Sequence, residues 1–522
     1  MPHFAVIALL TAAGLSLSLL CWDRPGFLLV NSDTLAAAEF IWDLSHRSGA
    51  WTTFQQPHNP EFVPGDLFFG VVQGVTANWR LGMAGWVLLT VLWLLAVVRA
   101  IATDIALTSR PQVTLSVLLL IIAVLAAGAV GAPRSIDHAD ASDLFRAVAR
   151  WPWFIVLPPV SHGGTLLLAL TTALVMHRSA AQPTALNHVY LFLLSLAAQF
   201  SDQLSLVFFL APATAAMLGC VLGGTIIRPR AIRLIFCIWV GAALGGLGSL
   251  LFDRRFLAFP NLFSALASGQ LFFAELNEAS GIIGSVIILM LALGAELWRR
   301  GLGMWLGSFW PVFATASAAG SLMVTILFYR DAGAFRYALP LIWWPVIYLA
   351  GLLAIPLGRC MPTAWAMTAV VISGPAMVWL TPGIHVPALF TWSTPLATCL
   401  RQEGLQTGLA GYWIARQTNA ATDWELQVQP IDQGGGALLW GNDWMWFTHD
   451  IHDDRRRPAY QFIVMDELPI TAIVNVYGRP DRVAVCGGST IWIYNDPAWM
   501  FNRLKHASGT MGPVFAAAPD LP

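Results

Sequence analysis

The sequence predicts an α-helical polytopic membrane protein of roughly eleven transmembrane helices, followed by a small α+β extracytoplasmic C-terminal domain. The first observation behind this prediction is composition: 57% of the residues are hydrophobic and only 11% are charged. Soluble globular chains carry about 25% charged residues, so this composition excludes an ordinary soluble protein. The second observation is a succession of long apolar windows, and the third is a polar C-terminal part with period-two hydrophobicity.

Each apolar window is long enough, with its flanking residues, to cross a bilayer, which takes about 20 mostly apolar residues. The first window lacks a basic n-region and a small-x-small cleavage site, so we interpret it as a retained helix and not a signal peptide. The windows are 4–22, 81–102, 113–130, 164–176, 188–200, 204–227, 232–252, 282–298, 304–328, 337–357 and 364–380.

Positive charge in the short loops predicts the orientation of these helices, because cytoplasmic loops are enriched in arginine and lysine. With a cytoplasmic N-terminus, the transmembrane domain is 1–381, and its outer-face loops are 22–80, 131–163 and 253–280. Residues 382–522 then form the extracytoplasmic domain. The arginines and histidine assigned to the cytoplasmic side are Arg110, His177, Arg178, Arg228, Arg230, Arg233, Arg299, Arg300 and Arg359.

The C-terminal domain begins with a helical pattern at about 396–417 and continues with β-type runs. These runs are "WELQVQP", "YQFIVMDE", "ITAIVNVYG", "RVAVC" and "TIWIYND", and turn signals separate them. Cys399 and Cys486 both fall in this domain, in a predicted oxidising compartment, and we expect a disulfide between them. No C-x-x-C pair occurs among the six cysteines, so the spacing gives no support for a zinc site.

The candidate functional residues gather on the predicted outer face, while the middles of the spans are almost free of ionisable groups. Each has a plain structural alternative: a helix cap for the aspartates, a packed interfacial histidine, and an interfacial anchor for the arginine. Their common placement on one face is the signal for function. The candidates are Asp33, Asp66, His162, Asp202 and Arg336.

Four short stretches carry a resemblance to a known family. "NSDTLAAAEFIWDL" and "FVPGDLFF" resemble the first outer loop of bacterial GT-C superfamily membrane glycosyltransferases, which use polyprenyl-phosphate-linked sugars as donors. "SDQLSL" and "FRYALPLIWWP" resemble later outer-face turns of the same family. The family's acidic motif is often two adjacent acids. This chain has Ser32 and Asp33, which favours a single-base mechanism over a metal-assisted one.

The resemblance implies transfer of a sugar from a polyprenyl-phosphate donor to an extracytoplasmic acceptor, which is a glycan, a lipid or a protein. Asp33 would be the general base, Arg336 would contact the donor phosphate, and His162 and Asp202 would line the sugar pocket. Asp66 would be a second acid in the substrate-binding site. The partners implied are the lipid-linked donor, membrane lipid and the acceptor, and the location is a bacterial inner membrane with the C-terminal domain in the periplasm. The formal net charge of −1 gives no case for nucleic acid. A divalent metal is compatible with the chemistry but has no support in the sequence.

Two other classes of function stay open at the level of sequence. A transporter or lipid flippase would use the same spans without covalent chemistry, and a titratable residue at the midplane would favour it. A non-catalytic membrane scaffold would use the outer domain to bind a partner. It would leave the outer face without convergent polar groups.

Overall fold

The structure is a computed structural model that describes residues 32–47, 49–55, 62–106, 113, 116, 117, 162–250, 261–275, 280–330, 332–360, 394–509 and 515. The predicted spans 4–22 and 364–380 lie outside these residues, as does nearly all of 113–130. The described chain is mostly helical, with a small sheet region near its C-terminus.

Eleven labelled helices make up the described part of residues 1–381. One-turn helices at Ala50–Thr53 and Leu302–Leu306, π-helical turns at Phe62–Asp66 and Leu206–Leu210, and a 3-10 helix at Ala332–Ala338 lie between them. The labelled helices are α1 (Ser32–His46), α2 (Leu67–Thr76), α3 (Trp79–Ala106), α4 (Gly163–Ala181), α5 (Ala185–Ser201), α6 (Ala211–Leu222), α7 (Arg228–Ser249), α8 (Leu262–Ala274), α9 (Ser280–Arg300), α10 (Phe309–Leu327) and α11 (Leu339–Cys360).

Five helices in the described part are long and apolar enough to cross a membrane. The longest, α3, has 28 residues and therefore extends about 42 Å, more than the roughly 30 Å of a hydrocarbon core. This agrees with the coarser prediction of a helical membrane protein, while the number of eleven spans stays a prediction. The five are Trp79–Ala106, Arg228–Ser249, Ser280–Arg300, Phe309–Leu327 and Ala334–Ala354.

The window 204–227 forms a shorter helical segment than its hydropathy predicts. A π-helical turn at Leu206–Leu210 runs into α6, which ends at Leu222. The chain turns there at Gly223 and Gly224, and Gly224 has a φ of +71°, a conformation that suits glycine. Hydropathy continues through the turn because Ile226 and Ile227 are apolar, so composition alone overextends the helix.

Helices α5 and α7 approach each other closely along a glycine stripe. A Cβ added to Gly241 would overlap the carbonyl oxygen of Phe192, and one added to Gly245 would overlap that of Leu196. Small residues four apart are typical of membrane helix interfaces, because they let two backbones come into contact. The contact fixes α5, the helix that leads directly into Asp202.

The helices place their polar ends at two separate poles of the bundle. Helices α3 and α4 run in the same direction, since Trp93 donates from Nε1 to Oγ1 of Thr171 at 2.9 Å and Asp104 lies 4.0 Å from His177. Trp79, at the start of α3, contacts the C-terminal domain through Asp423. We call the pole with Trp79 the domain end and the pole with Asp104 and His177 the far end.

The C-terminal domain contains a five-stranded mixed sheet. Its strands lie in the order β3 (Gln427–Pro430), β2 (Thr407–Ala410), β5 (Phe462–Val464), β7 (Ser489–Ile493) and β6 (Arg482–Cys486). Strands β3, β2 and β5 are parallel, and β7 pairs antiparallel with β5 and β6. Its elements are α12 (Thr394–Gln402), β2 (Thr407–Ala410), α13 (Tyr412–Ala421), β3 (Gln427–Pro430), β4 (Asn442–Asp443), a 3-10 helix (Trp444–Phe447), β5 (Phe462–Val464), α14 (Ile470–Tyr477), β6 (Arg482–Cys486), β7 (Ser489–Ile493) and α15 (Pro497–Ala507); β1 (Phe54–Gln55) pairs with β4.

Each face of this sheet has its own apolar core. On one face Phe462 and Ile491 pack with α12 and α13. On the other face Ile463 packs with α14 and α15, for example against Ile473 and Phe501. Parallel strands covered on both faces by helices are the usual arrangement, because a helical crossover must return over the sheet. The domain therefore has three layers, with the sheet in the middle.

Two predicted elements of this domain are wrong. The run 470–477, "ITAIVNVY", is the helix α14 and not a strand: Ile473 and Tyr477 are both buried, four residues apart, against the sheet. Its β-branched composition favours a strand, but packing on the sheet face overrides that weak preference. The predicted helix 396–417 is interrupted by strand β2, whose four residues are all buried in the sheet.

Cys399 in α12 and Cys486 at the end of β6 form a disulfide, with 5.3 Å between their Cα atoms. This separation lies in the range that a disulfide can bridge. The bond ties the first helix of the domain to the edge strand of its sheet, and Cys486 is fully buried. Among the described cysteines, Cys220 and Cys237 are free thiols.

Candidate functional site at the domain end

Antiparallel helices bring two of the predicted residues together at the domain end. His162 immediately precedes α4, and Asp202 immediately follows α5. Because α5 runs back along α4, the start of one helix lies beside the end of the other. The Nδ1 nitrogen of His162 lies 2.5 Å from Oδ2 of Asp202, and both side chains are buried.

Asp202 is held by hydrogen bonds on both carboxylate oxygens. Oδ2 accepts from Oγ1 of Thr165 at 2.6 Å as well as from His162, and Oδ1 accepts from the N–H of Leu204 at 2.9 Å. Burial by itself raises the pKa of this carboxyl, but the charge of His162 and the three hydrogen bonds lower it overall. Asp202 is therefore an ionised carboxylate that also stabilises the turn between two helices.

An ionised Asp202 determines which nitrogen of His162 carries the proton. A carboxylate only accepts hydrogen bonds, so Nδ1 must be the donor, and in the neutral form of the ring Nε2 is then the acceptor. Within the described part of the chain, Nε2 has no hydrogen-bond partner. The imidazole also contacts the ring of Tyr337, with 5.3 Å between the ring centroids.

Arg336 reaches the same cluster through its neighbour. Both Arg336 and Tyr337 belong to the 3-10 helix Ala332–Ala338, and Ser321 of α10 donates to the Tyr337 carbonyl at 2.5 Å. The Arg336 guanidinium carbon lies 5.3 Å from the centroid of the Tyr337 ring. The ring of Tyr337 thus contacts the imidazole of His162 and the guanidinium of Arg336, a cation–π distance for the latter.

The segment that contains Asp66 lies against this cluster. The N–H of Val63 donates to Oγ of Ser201 at 3.0 Å, one residue before Asp202. Asp66 ends the π-helical turn and directly precedes α2, and its side chain is half-buried without capping that helix. The structure thus brings the backbone of this turn beside His162 and Asp202.

Asp33 lies in the first turn of α1, and its side chain is outside the described residues. A carboxylate in the first turn of a helix is favoured by the helix dipole whether or not it is catalytic. The base and structural interpretations of Asp33 therefore both stay predictions. The described part of α1 shows a second use for its acids.

Glu39 and Asp43 of α1 dock the C-terminal domain, a role that the sequence analysis missed. Glu39 pairs with Arg416 of α13, which also donates to the carbonyl oxygen of Trp440 at 2.8 Å. Arg47 lies 3.4 Å from Oδ1 of Asp43 and 3.3 Å from Oδ2 of Asp443. The spacing of Glu39, Asp43 and Arg47 at four-residue intervals is the signal that could have revealed a polar face on this apolar helix.

Burial changes the acidity of both docking carboxyls of α1. Burial raises the pKa of Glu39 to about 7, against the opposing charge and hydrogen bond of Arg416. Burial also raises the pKa of Asp43 to about 9, assisted by the adjacent Asp443 carboxylate and opposed by Arg47. Asp43 is thus protonated at neutral pH and can donate to Asp443, so the interface does not bury two unneutralised acids.

Tryptophans fill the apolar part of the same interface. Trp42 of α1 stacks on Trp424, with 5.8 Å between ring centroids, and meets Trp446 edge-on at 5.5 Å. Trp79 donates from Nε1 to Asp423 at 3.0 Å and contacts Trp424 edge-on. These indoles serve packing between the domain and the helices, which explains why Trp424 and Trp446 are buried.

The far end carries a different set of charges, joined by ion pairs between helices. Arg178 lies 3.7 Å from Asp104, and Arg300 lies 3.0 Å from Glu296 in the same helix. His177 packs against Trp310 with 5.1 Å between ring centroids. The sequence assigns Arg178 and Arg300 to the cytoplasmic side, and the structure places both at the pole opposite His162 and Asp202.

In the described part of the chain, no group of three or more His, Cys, Asp or Glu side chains is arranged to hold a metal ion. Comparison with family models, with curated proteins and with solved structures found no match for the chain. The candidate site is therefore interpreted from its own chemistry: a fixed carboxylate–imidazole pair, an arginine on an aromatic ring and a docked C-terminal domain.

Proposed function

We propose that this protein transfers a sugar from a polyprenyl-phosphate-linked donor to an acceptor at the domain end of the helical bundle. The observation that carries the proposal is the meeting of His162, Asp202 and Arg336 around Tyr337 at the pole where the C-terminal domain docks. In a membrane protein, ionisable groups are costly and commonly mark the functional site. The proposed location is a bacterial inner membrane with the domain end facing the periplasm.

The chemistry of such a donor suits this pole. Its polyprenyl chain stays in the bilayer, and its phosphate and sugar lie at the interface beside the helix ends. The guanidinium of Arg336 is charged at all physiological pH values and has the fork geometry that binds phosphate oxygens. Arg336 would therefore stabilise the charge that develops on the leaving phosphate, and the polar residues of the adjacent turns, Asp66 among them, would contact the sugar.

The acceptor hydroxyl must lose a proton during the transfer. Two residues are candidates for the base: Asp33, which the family resemblance implies, and His162. General-base catalysis of this kind typically contributes about 10²–10⁴-fold to the rate. The docked domain lies directly over α1, the helix that contains Asp33. This arrangement favours a domain that shapes the acceptor side of the site.

The experiment that tests the proposal is sugar transfer by purified protein from a labelled polyprenyl-phosphate donor. The variant Arg336→Gln should raise the KM for the donor at least tenfold, because a neutral amide cannot pair with the phosphate. Arg178→Gln is the matched control, since Arg178 is an exposed arginine at the far end. It should leave the KM unchanged.

Two results would contradict the proposal. Absence of transfer from every polyprenyl-phosphate sugar tried would remove glycosyl transfer as the function. Movement of the intact lipid across a proteoliposome membrane without cleavage of its sugar–phosphate bond would instead support a flippase. Addition of a chelator to the active protein tests for a divalent metal in the same assay.

A further inference from the structure

The His162–Asp202 pair has the arrangement of a base and the group that orients it. Asp202 has a side chain with no exposed surface, and all of its described hydrogen bonds are accepted ones. It fixes the ring of His162 and directs the unprotonated nitrogen away from itself. The His162 side chain keeps 4% of its surface exposed, and that of Asp202 keeps none.

His162 also adopts an uncommon backbone conformation. Its φ is +75°, in the left-handed region where residues other than glycine are rare. Such conformations cost of order 1–3 kcal/mol and persist only when the surrounding structure enforces them. A histidine that served only to cap α4 would not need this conformation, and its side chain makes no capping hydrogen bond to α4. The strain places the ring against Asp202 and Tyr337.

We infer that His162, oriented by Asp202, accepts the proton of the acceptor hydroxyl, and that Asp33 does not. The inference rests on the proposed sugar transfer and assigns its base. Asp202 acts as a positioning residue, because it reaches the substrate only through His162. The arrangement is that of a carboxylate–imidazole pair, in which the carboxylate sets the tautomer and stabilises the imidazolium that forms.

The step balances without a further reactant. The acceptor O–H bond breaks as its proton passes to Nε2 of His162, and the acceptor oxygen bonds to the anomeric carbon. The bond from that carbon to the phosphate oxygen breaks, and its electron pair leaves with the polyprenyl phosphate beside Arg336. His162 then releases the proton to water. The products are the glycosylated acceptor and the polyprenyl phosphate.

Asp202 and Asp33 are poorer bases for this step. Asp202 already accepts three hydrogen bonds, which stabilise its ionised form and weaken it as a proton acceptor. Asp33 lies in the first turn of α1, a position where the helix dipole favours an acidic residue without any catalytic role. The described acids further along α1, Glu39 and Asp43, lie in the contact between α1 and the C-terminal domain.

The decisive test compares His162→Gln, Asp33→Asn and Asp202→Asn with a control variant in the transfer assay. His162→Gln keeps a side chain that can donate to Asp202 but cannot accept a proton, and kcat should fall by about 10²-fold or more with the donor KM unchanged. Asp33→Asn should retain turnover within a few-fold. His177→Gln is the matched control, because His177 also lies beside an aspartate, Asp104, but at the far end.

Asp202→Asn tests the positioning role. An asparagine amide can donate to Nδ1 and so move the imidazole proton to Nε2, where it blocks the base. In a hydrolase triad the equivalent change of tautomer lowers kcat by about 10⁴-fold.

The dependence of kcat on pH separates this role from a structural one: His162→Gln should lose the acidic limb of the profile, and Asp33→Asn should keep it. The groups that face His162 are Asp202, Thr165, Tyr337 and Arg336, and the turn containing Asp66 adjoins them.

A spectroscopic measurement keeps the test valid if a variant folds poorly. In protein labelled with ¹⁵N-histidine, the signal absent from His162→Gln identifies His162, and the neutral form of the ring should show a protonated Nδ1 and an unprotonated Nε2. A proton on Nε2 would overturn the inference.

The kinetic outcomes separate the two proposals. Near-normal turnover of folded His162→Gln, with an active wild-type protein, would also overturn the inference and leave the proposed function intact. Loss of turnover in Asp33→Asn at retained donor binding would do the same. A wild-type protein without transfer activity would remove both the proposed function and the base that it requires.

Discussion

Nε of Arg416 donates to Oε2 of Glu39 at 2.5 Å, and each of the two side chains is only 2% exposed. The pair joins the helix at the start of the described chain to a helix of the C-terminal domain. Arg416 also donates to the carbonyl oxygen of Trp440 and lies 5.2 Å from the ring of Tyr412. One buried guanidinium thus holds the domain above the pole that carries the candidate site.

Loss of this guanidinium should detach the domain. Arg416→Met leaves Glu39 buried without its partner, a change that typically costs about 3–5 kcal/mol. The expected result is a lower Tm and faster proteolysis between the helical bundle and the domain. Arg401→Met is the control, because its ion pair with Glu425 is largely exposed and such pairs contribute about 0–1 kcal/mol. Equal Tm values for the two variants would contradict a docking role for Arg416.

The acidity of Asp43 predicts that docking weakens as pH rises. The pKa of Asp43 is about 9 in the folded protein, above its ordinary value of 3.8. A raised folded-state pKa means that the folded protein holds a proton that the unfolded chain releases. The contribution of Asp43 to the free energy of unfolding is therefore complete below about pH 4 and is lost as pH rises through about 9. We expect the Tm to fall between pH 6 and pH 9.

Asp43→Asn identifies the source of that slope. Asparagine is a neutral isostere without a proton to lose, so the slope between pH 7 and pH 9 should flatten. The slope below pH 7 should persist, because Glu39 has a folded-state pKa of about 7, also above its ordinary value. An unchanged slope above pH 7 in Asp43→Asn would show that another group titrates there.

Local signals in the sequence are sufficient for the five long apolar helices and for the grouping of polar residues. Hydropathy located the described spans, and the common face of His162, Asp202 and Arg336 agrees with their meeting at one pole. Hydropathy could not predict which residue each of these side chains contacts, because Tyr337 meets His162 only after two distant segments pack. The docking pair Glu39–Arg416 joins residues far apart in the chain, and no local pattern specifies such a contact.

The C-terminal domain shows where local preference fails. The run 470–477 is rich in β-branched residues, yet it forms a helix because Ile473 and Tyr477 fill one face of the sheet. The strand Thr407–Ala410 was hidden inside a predicted helix, since "TGLA" has no strand signal of its own. Its parallel neighbours on both sides determine its conformation. Long-range pairing therefore decides both elements.

The disulfide between Cys399 and Cys486 should contribute strongly to the stability of the domain. It closes a loop with a sequence separation of 87 residues, for which the chain-entropy model gives about 4 kcal/mol. Cys399→Ser should lower the Tm of the domain, and reductant should lower that of the wild-type protein to a similar value. Cys220→Ser is the control, because Cys220 is a free thiol. A wild-type Tm that does not respond to reductant would contradict this contribution.

The single lysine of the chain gives a test of orientation that needs no fusion protein. Lys505 is the only lysine and lies exposed on α15 of the C-terminal domain. If this domain faces the periplasm, a membrane-impermeant amine reagent should label Lys505 in intact spheroplasts. Lys505→Arg measures the background from the N-terminal amine. Adding Arg178→Lys to that variant moves the amine to the far end, where Arg178 is 56% exposed, and labelling should then require permeabilised membranes. The reverse pattern would put His162 and Asp202 on the cytoplasmic side and would remove the periplasmic acceptor from the proposed reaction.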